Sequence, residues 1–400
     1  MAQTNTTDAV KARIVEEVRQ LHPRLRAISQ TLHENPEILF EEHKSAALLA
    51  EELDEYGFDV ERGVAGLDTA FVATYGSGKP TVALIAEYDA LPKLGHACGH
   101  NLIASWAVGA GIALRRALPP DFGGTVKVIG TPAEEGGGGK VTMTKAGIFN
   151  GLDAAIMMHP RDTTYLDRGS LAVTPYTVEF FGKSSHASAA PEQGINALDA
   201  VLQVFFSVNA LRQSLKLHTR IHGVITHGGD AANVIPDYAA AKFLVRAKEQ
   251  AYLEEVKQKF LSIIEAAALT TGARSQVTEG ISYEQRVSNE GLIEVFRDNL
   301  TAIGLDYELP PADAGVGSSD IGNVSQRVPA IHPYLAICEK GIGGHTPQFA
   351  EAAASERADE LVATGSILLA WTAADVLLRP EVRERLRETF REQLGRDPQE

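Results

Sequence analysis

Five short stretches of this 400-residue chain carry side chains that can do chemistry. The densest is Gly95-His96-Ala97-Cys98-Gly99-His100-Asn101, with three metal-competent side chains inside five positions. Its glycines permit tight turns, so alternate side chains can converge. A thiol at a helix start has a lowered pKa, and the thiolate is the form that ligates metal. A core cysteine with incidental histidines is the plain alternative, and the glycine-punctuated loop after a strand favours ligation. The second stretch runs from Thr131 to Lys140 and holds Glu134-Glu135 before four glycines. Adjacent carboxylates repel unless positive charge is near. In a metal site they divide labour: one ligates, the other takes a proton from activated water. A phosphate loop is excluded, because Val141 follows Lys140 where Ser or Thr is required. A solvated loop is the bland alternative. His159 ends an apolar run and precedes Pro160. A lone histidine is usually structural, and its strand-end position makes it a candidate ligand. His345 sits in Gly343-Gly344-His345-Thr346-Pro347, a pattern that also fits a helix-capping loop. The fifth group comprises His186 in Gly182–Ser188, Asn233 in Asn233–Asp237, and Arg246. A neutral His or Asn can polarise a carbonyl, and Arg can grip a carboxylate. Spacing alone does not separate these from surface polar residues.

The elements that must position these groups can be read from periodicity. Val10, Ile14, Val18, Leu21, Leu25, Ile28 and Leu32 form one helical stripe, with a break expected at Pro23. A second helix spans Glu42–Tyr56, stopped by Gly57. Ala70–Tyr75 and Val82–Ala86 flank Gly76-Ser77-Gly78 and read as a hairpin. Thr125–Ile129 and Ala154–Met158 read as strands, alternating with helices over Leu102–Leu118 and Val141–Phe149. This pattern predicts an α/β layer with a mainly parallel sheet, whose ligands bind beyond the carboxyl ends of the strands. From Gly169 the order becomes strand Ser170–Phe181, helix Asn196–Leu211, strands Arg220–Thr226 and Ala239–Val245, and helix Ala251–Thr270. That order predicts an inserted α+β sandwich over residues 169–272, with residues 1–168 and 273–400 forming the main domain. The α/β pattern then resumes with helix Glu290–Ile303, strand Ala330–Cys338 and a long helix Ala350–Val376. The charged tail from Arg379 reads as a solvated helix or frayed end.

Composition narrows the function classes. Hydrophobic residues make up 44% of the chain, enough for a large core. The formal net charge of −15 leaves no Lys/Arg surplus to neutralise phosphates, so nucleic acid is not an expected partner. The polar N-terminus lacks a signal-like apolar region, and no long apolar run stands out. The expectation is a cytoplasmic protein with no membrane span. Two cysteines give no disulfide framework.

Taken together, the segments resemble metallopeptidase family 20, the aminoacylase and carboxypeptidase group. They lie closest to its amidohydrolase branch, which holds β-alanyl-lysine (Xaa-Arg) dipeptidases and p-aminobenzoyl-glutamate hydrolase. The carrying residues are Leu32–Glu37, Tyr88–Pro92, His96–Asn101, Glu134–Gly137, Met158-His159, Ser185–Ala187, Asn233–Asp237, Ser318–Asp320 and His345–Phe349. The resemblance implies a three-layer metallopeptidase domain with an inserted lid and dimerisation domain. It implies two divalent ions, Zn²⁺, Mn²⁺ or Co²⁺, held by Cys98, His100, Glu135, His159 and His345, with Cys98 as bridge. It further implies Glu134 as general base, His186 as an oxyanion-stabilising lid residue, and Asn233 and Arg246 as substrate-carboxylate binders. The expected activity is hydrolysis of a dipeptide or N-acyl amino acid by a homodimer. Tyr88 stands where other branches carry a metal-binding histidine, so Cys98 and His100 must compensate. Asn101 replaces the Asp of auxin-conjugate hydrolases, which favours the dipeptidase side. Two other readings stay open: a cysteine-nucleophile amidase using Cys98 with His96 or His100 as base, and a non-catalytic metal-binding or scaffold protein.

Overall fold

The computed structural model describes residues 2–311 and 315–399, with side chains from Thr6 onward. The chain divides into two compact units, Met1–Gly169 with Arg286–Glu400, and Ser170–Gln285.

The first unit opens with α1 (Ala2–Glu34), which runs unbroken through Pro23. The buried stripe from Ile14 to Leu32 holds the helix together there against a proline cost of about 3 kcal/mol. Then come α2 (His43–Glu55), β1 (Asp59–Arg62), β2 (Phe71–Gly76), β3 (Thr81–Glu87), α3 (His100–Ala117), β4 (Thr125–Thr131), α4 (Gly139–Lys145), β5 (Ala154–Ile156) and β6 (His159–Arg161). The expected hairpin does not form. β2 pairs antiparallel with β4, and β3 lies on the far side of β4, parallel to it. The cause is legible in β3 itself: every residue is buried, as a strand covered on both faces requires.

The second unit comprises β7 (Ala172–Phe181), α5 (Ala197–Arg212), β8 (Arg220–His227), β9 (Tyr238–Ala247), α6 (Gln250–Thr271) and β10 (Arg274–Glu279). Its sheet is antiparallel in the order β10-β7-β9-β8. Val201, Val204, Phe243, Val256 and Phe260 are among the residues that fill the core shared with α5 and α6. This unit reaches beyond the expected boundary at 272, because β10 pairs along β7 and so continues the sheet.

The chain returns to the first unit with α7 (Glu290–Ala302), α8 (Ile321–Ser325), β11 (Ala330–Ile331), β12 (Tyr334–Ala336), α9 (Pro347–Ala352), α10 (Glu356–Leu378) and α11 (Pro380–Leu394). The six-stranded sheet has the order β1-β2-β4-β3-β5-β11 and is parallel from β4 to β11. The expected single strand 330–338 is split at Pro333: β11 pairs with β5, and β12 pairs with β6. The expected helix 350–376 is likewise two, since Ser355 caps a fresh start at α10. Helix α10 is long and apolar enough to cross a membrane by length and composition. Here it packs against α1, α3 and α7, and 67% of its most apolar stretch is buried. The tail is no frayed end, because Val382, Leu386 and Phe390 of α11 are buried.

Candidate metal centre

The chemical residues of the first unit collect where β3, β4 and β5 end. Strand alternation after β3 turns Glu87 and Asp89 to one side and Tyr88 to the other. The Tyr88 hydroxyl donates to the Thr69 carbonyl in the buried interior. The residue facing the centre is therefore Glu87, not Tyr88. Cys98 lies in the loop before α3, and Gly99 caps that helix in the left-handed region at φ +77°. A Cβ on Gly99 would lie 2.4 Å from Pro160 Cγ, so glycine is required for Cys98 and His100 to approach β6. Asn101 is scaffold: its amide donates to Ser29 and to the Ala353 carbonyl.

Two ligand groups share one sulfur. Cys98, His100 and His159 bring one ligand atom each within 4.8 Å of one another, and so do Cys98, Glu135 and His345. His100, Glu134 and Glu135 form a third such group. Cys98 Sγ stands 3.3 Å from His159 Nε2, and His345 Nε2 stands 3.1 Å from Glu135 Oε1. The histidine tautomers follow from their partners. His100 Nδ1 lies 2.8 Å from the Asp89 carbonyl and 3.0 Å from Asp89 Oδ1; both oxygens only accept, so Nδ1 carries the proton. His159 Nδ1 donates to the Pro160 carbonyl at 2.7 Å. Both Nε2 atoms thus turn toward Cys98 and Glu135. His100 Nε2 is buried and has no hydrogen-bond partner among the described residues. An orphaned imidazole nitrogen among a thiol and carboxylates fits a divalent ion of the zinc or manganese kind.

The electrostatics point the same way. Burial, then Glu135, pushes the Cys98 thiol well above its ordinary value. Burial, then His100, holds His159 down to about 3. A thiol nucleophile needs a lowered thiol pKa beside a competent base. Burial does the reverse to Cys98, and His100, whose pKa Asp89 and Cys98 raise against burial, has its Nδ1 engaged by Asp89. His96 is no better placed as that base: burial holds it to about 3, and its ring stacks on His33 at 6.2 Å. Burial, then Glu87 and Glu135, raises Glu134 well above the carboxylate range. Burial opposes charge on Glu135 as well, but His345 and His100 outweigh it and lower its pKa.

Three further groups beside the centre have no role that sequence reasoning assigns. Asp89 holds His100, and its Oδ2 accepts from the Glu135 backbone N–H at 2.9 Å. Lys140 lies buried between Glu87 and Asp320. His332, in the link between β11 and β12, places its ring 5.3 Å from that of His159. Asp89 and Asp320 lie inside motifs that carry the family resemblance; nothing in spacing marks Lys140 or His332.

In the second unit, His186 and Asn233 are neighbours: Ala187 N–H donates to the Asn233 carbonyl at 2.9 Å. His186 Nδ1 accepts from the Ser188 and Ala189 backbone N–H groups, both at 3.3 Å, which leaves the proton on Nε2. Arg246 is half-buried near the opposite end of β9. At about 3.3 Å per residue, the strand from Tyr238 sets it roughly 25 Å from the Asn233 end.

The α/β body gathers, at its strand ends, candidate ligand groups for divalent ions, the arrangement of a metal-dependent hydrolase. The model of a peptidase dimerisation domain matches residues 172–271. The mouse Xaa-Arg dipeptidase is 37% identical over 96% of this chain and 93% of its own length. One of the subunits of p-aminobenzoyl-glutamate hydrolase from Escherichia coli is 37% identical over 61% of this chain and 55% of its own. A dinuclear metal-binding M20 peptidase from Bacillus subtilis shares the fold, with a TM-score of 0.66 at 22% identity over 90% of this chain and 99% of that one. The chain belongs to the M20 peptidase family and is a hydrolase of peptide or amide bonds.

Proposed function

We propose that this protein is a dipeptidase-like hydrolase that cleaves the amide bond of a dipeptide or N-acyl amino acid with two divalent ions. The observation that carries this reading is the membership of Cys98 in both ligand groups, so that one side chain would serve both ions. Ions bound there supply Lewis acidity, lowering the pKa of water from about 15.7 toward 7 and polarising a carbonyl. Cys98, His100 and His159 would hold one ion, and Cys98, Glu135 and His345 the other. Glu134 takes the proton from the attacking water and delivers it to the leaving nitrogen. His186 offers its Nε2–H to the developing oxyanion, and Asn233 and Arg246 grip the substrate's carboxylate end. Because β9 separates them, those two reach one small substrate only from two copies of the chain. A homodimer is supported by edge strand β8, where Val224 is 61% exposed, and by Phe206 of α5, 73% exposed. Soft sulfur with nitrogen ligands suits Zn²⁺; Mn²⁺ and Co²⁺ fit the same donors. The relation to Xaa-Arg dipeptidases puts dipeptides ending in arginine first among substrates to test.

The test is a panel of dipeptides and N-acyl amino acids followed by mass spectrometry, with protein loaded with each ion and its content read by plasma spectrometry. Turnover that EDTA abolishes and iodoacetamide does not abolish once the ions are bound supports the reading. Silence across the panel from protein carrying two ions overturns it.

A further inference from the structure

Beside the two ion groups stands a carboxylate cluster that they do not use. Glu87, Glu134 and Asp320 bring oxygens within 4.8 Å of one another. Three such groups repel unless a cation joins them. Here the cation is part of the chain. Lys140 Nζ lies 2.6 Å from Glu87 Oε1 and 2.7 Å from Asp320 Oδ1. The Lys140 backbone N–H also donates to Asp320 Oδ2 at 2.9 Å, so Asp320 holds the residue at two points. Glu87, Lys140 and Asp320 are all fully buried. The second Glu87 oxygen faces His100 Nε2 at 3.6 Å, which links the cluster to the ion groups.

We propose that Lys140 is the resident cation of this cluster and a positioning residue for Glu134, clamping Glu87 and Asp320 so that the proton-carrying carboxyl keeps its place. The proposal rests on the role given to Glu134 above. The lysine stem is anchored at the start of α4, two residues after the helix cap at Gly138. Its charge therefore cannot be washed out as a third metal could. Burial opposes the ammonium, but Asp320 and Glu87 outweigh burial and keep it charged. With the ammonium gone, Glu87 and Asp320 would repel each other and Glu134. A carboxyl displaced by about 1 Å costs on the order of a hundredfold in rate without weakening substrate binding.

The test compares Lys140→Met, Asp320→Asn and their combination with wild type on the best substrate of the panel. Each variant should retain two ions by plasma spectrometry and an unchanged Co²⁺ absorption spectrum. Each should lower kcat by about 30- to 100-fold with KM within about threefold. The combination should be no worse than Lys140→Met alone, because both changes release the same clamp. If Lys140→Met does not fold, the combination, which leaves no unpaired carboxylate at 320, carries the test. A folded variant with kcat within about twofold of wild type overturns the proposal. So do losses that multiply in the combination, or activity that falls only in step with ion content. An inactive wild type would instead sink the reading of Glu134, so the two failures are distinguishable.

Discussion

Asp89 gives the most demanding prediction, because one fully buried carboxylate orients two of the proposed ligands. Oδ1 accepts from His100 Nδ1 at 3.0 Å, and Oδ2 accepts from the Glu135 N–H at 2.9 Å. Asp89→Asn preserves shape but supplies one acceptor where two are needed. Whichever way the amide turns, its NH₂ meets an N–H, leaving one buried donor unpaired at about 1–3 kcal/mol. Removing a carboxylate behind a ligating histidine costs roughly 10- to 100-fold in ion affinity, about 1.4–2.7 kcal/mol. The assay is a Zn²⁺ titration against a chromophoric chelator, with thermal unfolding of the stripped protein as the control for packing. Affinity within about threefold of wild type would refute the claim that the Asp89 carboxylate holds His100 and the Glu135 backbone for ion binding.

Glu134→Gln should keep two ions and lose about 10²–10⁴ in kcat; plasma spectrometry with steady-state kinetics decides, and a kcat within about tenfold of wild type refutes the base. Gly99→Ala places a Cβ against Pro160 in a left-handed backbone, so unfolding free energy should fall by about 2–5 kcal/mol and ion binding should loosen. An unchanged melt would refute that. Burial raises Asp167, but the Arg286 guanidinium 2.7 Å away outweighs burial and lowers its pKa. The stability this contributes is present above the ordinary value of about 3.9 and is lost as pH falls through the folded value. Asp167→Asn should flatten the acid limb of urea-derived stability against pH; an unaltered slope counts against the pair. Both tryptophans, Trp106 and Trp371, lie in the first unit. EDTA should therefore lower the tryptophan-reported transition, by about 2.7 kcal/mol per site when ions stand at a hundred times Kd. A transition indifferent to chelation would refute ion binding in that unit.

Much of this architecture is legible in sequence because it is periodic or punctuated. The stripe of α1 and the alternating elements of the second unit declare themselves by apolar spacing. The Cys98 and Glu134 segments stand out because glycines frame rare ligand types at strand ends. What stays hidden depends on contacts distant in the chain. The place of β4 between β2 and β3 is a property of the sheet, and a Gly-Ser-Gly turn imitates a hairpin locally. Lys140 meets Asp320 across 180 positions, and no local spacing marks either residue as the other's partner. His332 looks like one more histidine until the chain switch at Pro333 sets it beside His159. The side-chain direction at Glu87 and Tyr88 escapes notice because a one-residue shift along a strand reverses the face.

Charge ties these results together. Glu87, Asp89, Glu134, Glu135 and Asp320 crowd one region, and the ion pairs of Lys140 reach into it. One ammonium pairs with Glu87 and Asp320, His100 leans on Asp89 and His345 on Glu135, and the Cys98 thiol brings no positive charge of its own. Removing so many acids from water is costly unless further positive charge joins them. Histidines already turned to present Nε2 indicate where that charge enters, between Cys98 and the carboxylates. A cation held there would favour the thiolate of Cys98, whose pKa burial and Glu135 raise. The stability that tolerates this acidic pocket must come from apolar packing, which in the first unit joins α1, α3 and α10 around one hydrophobic core.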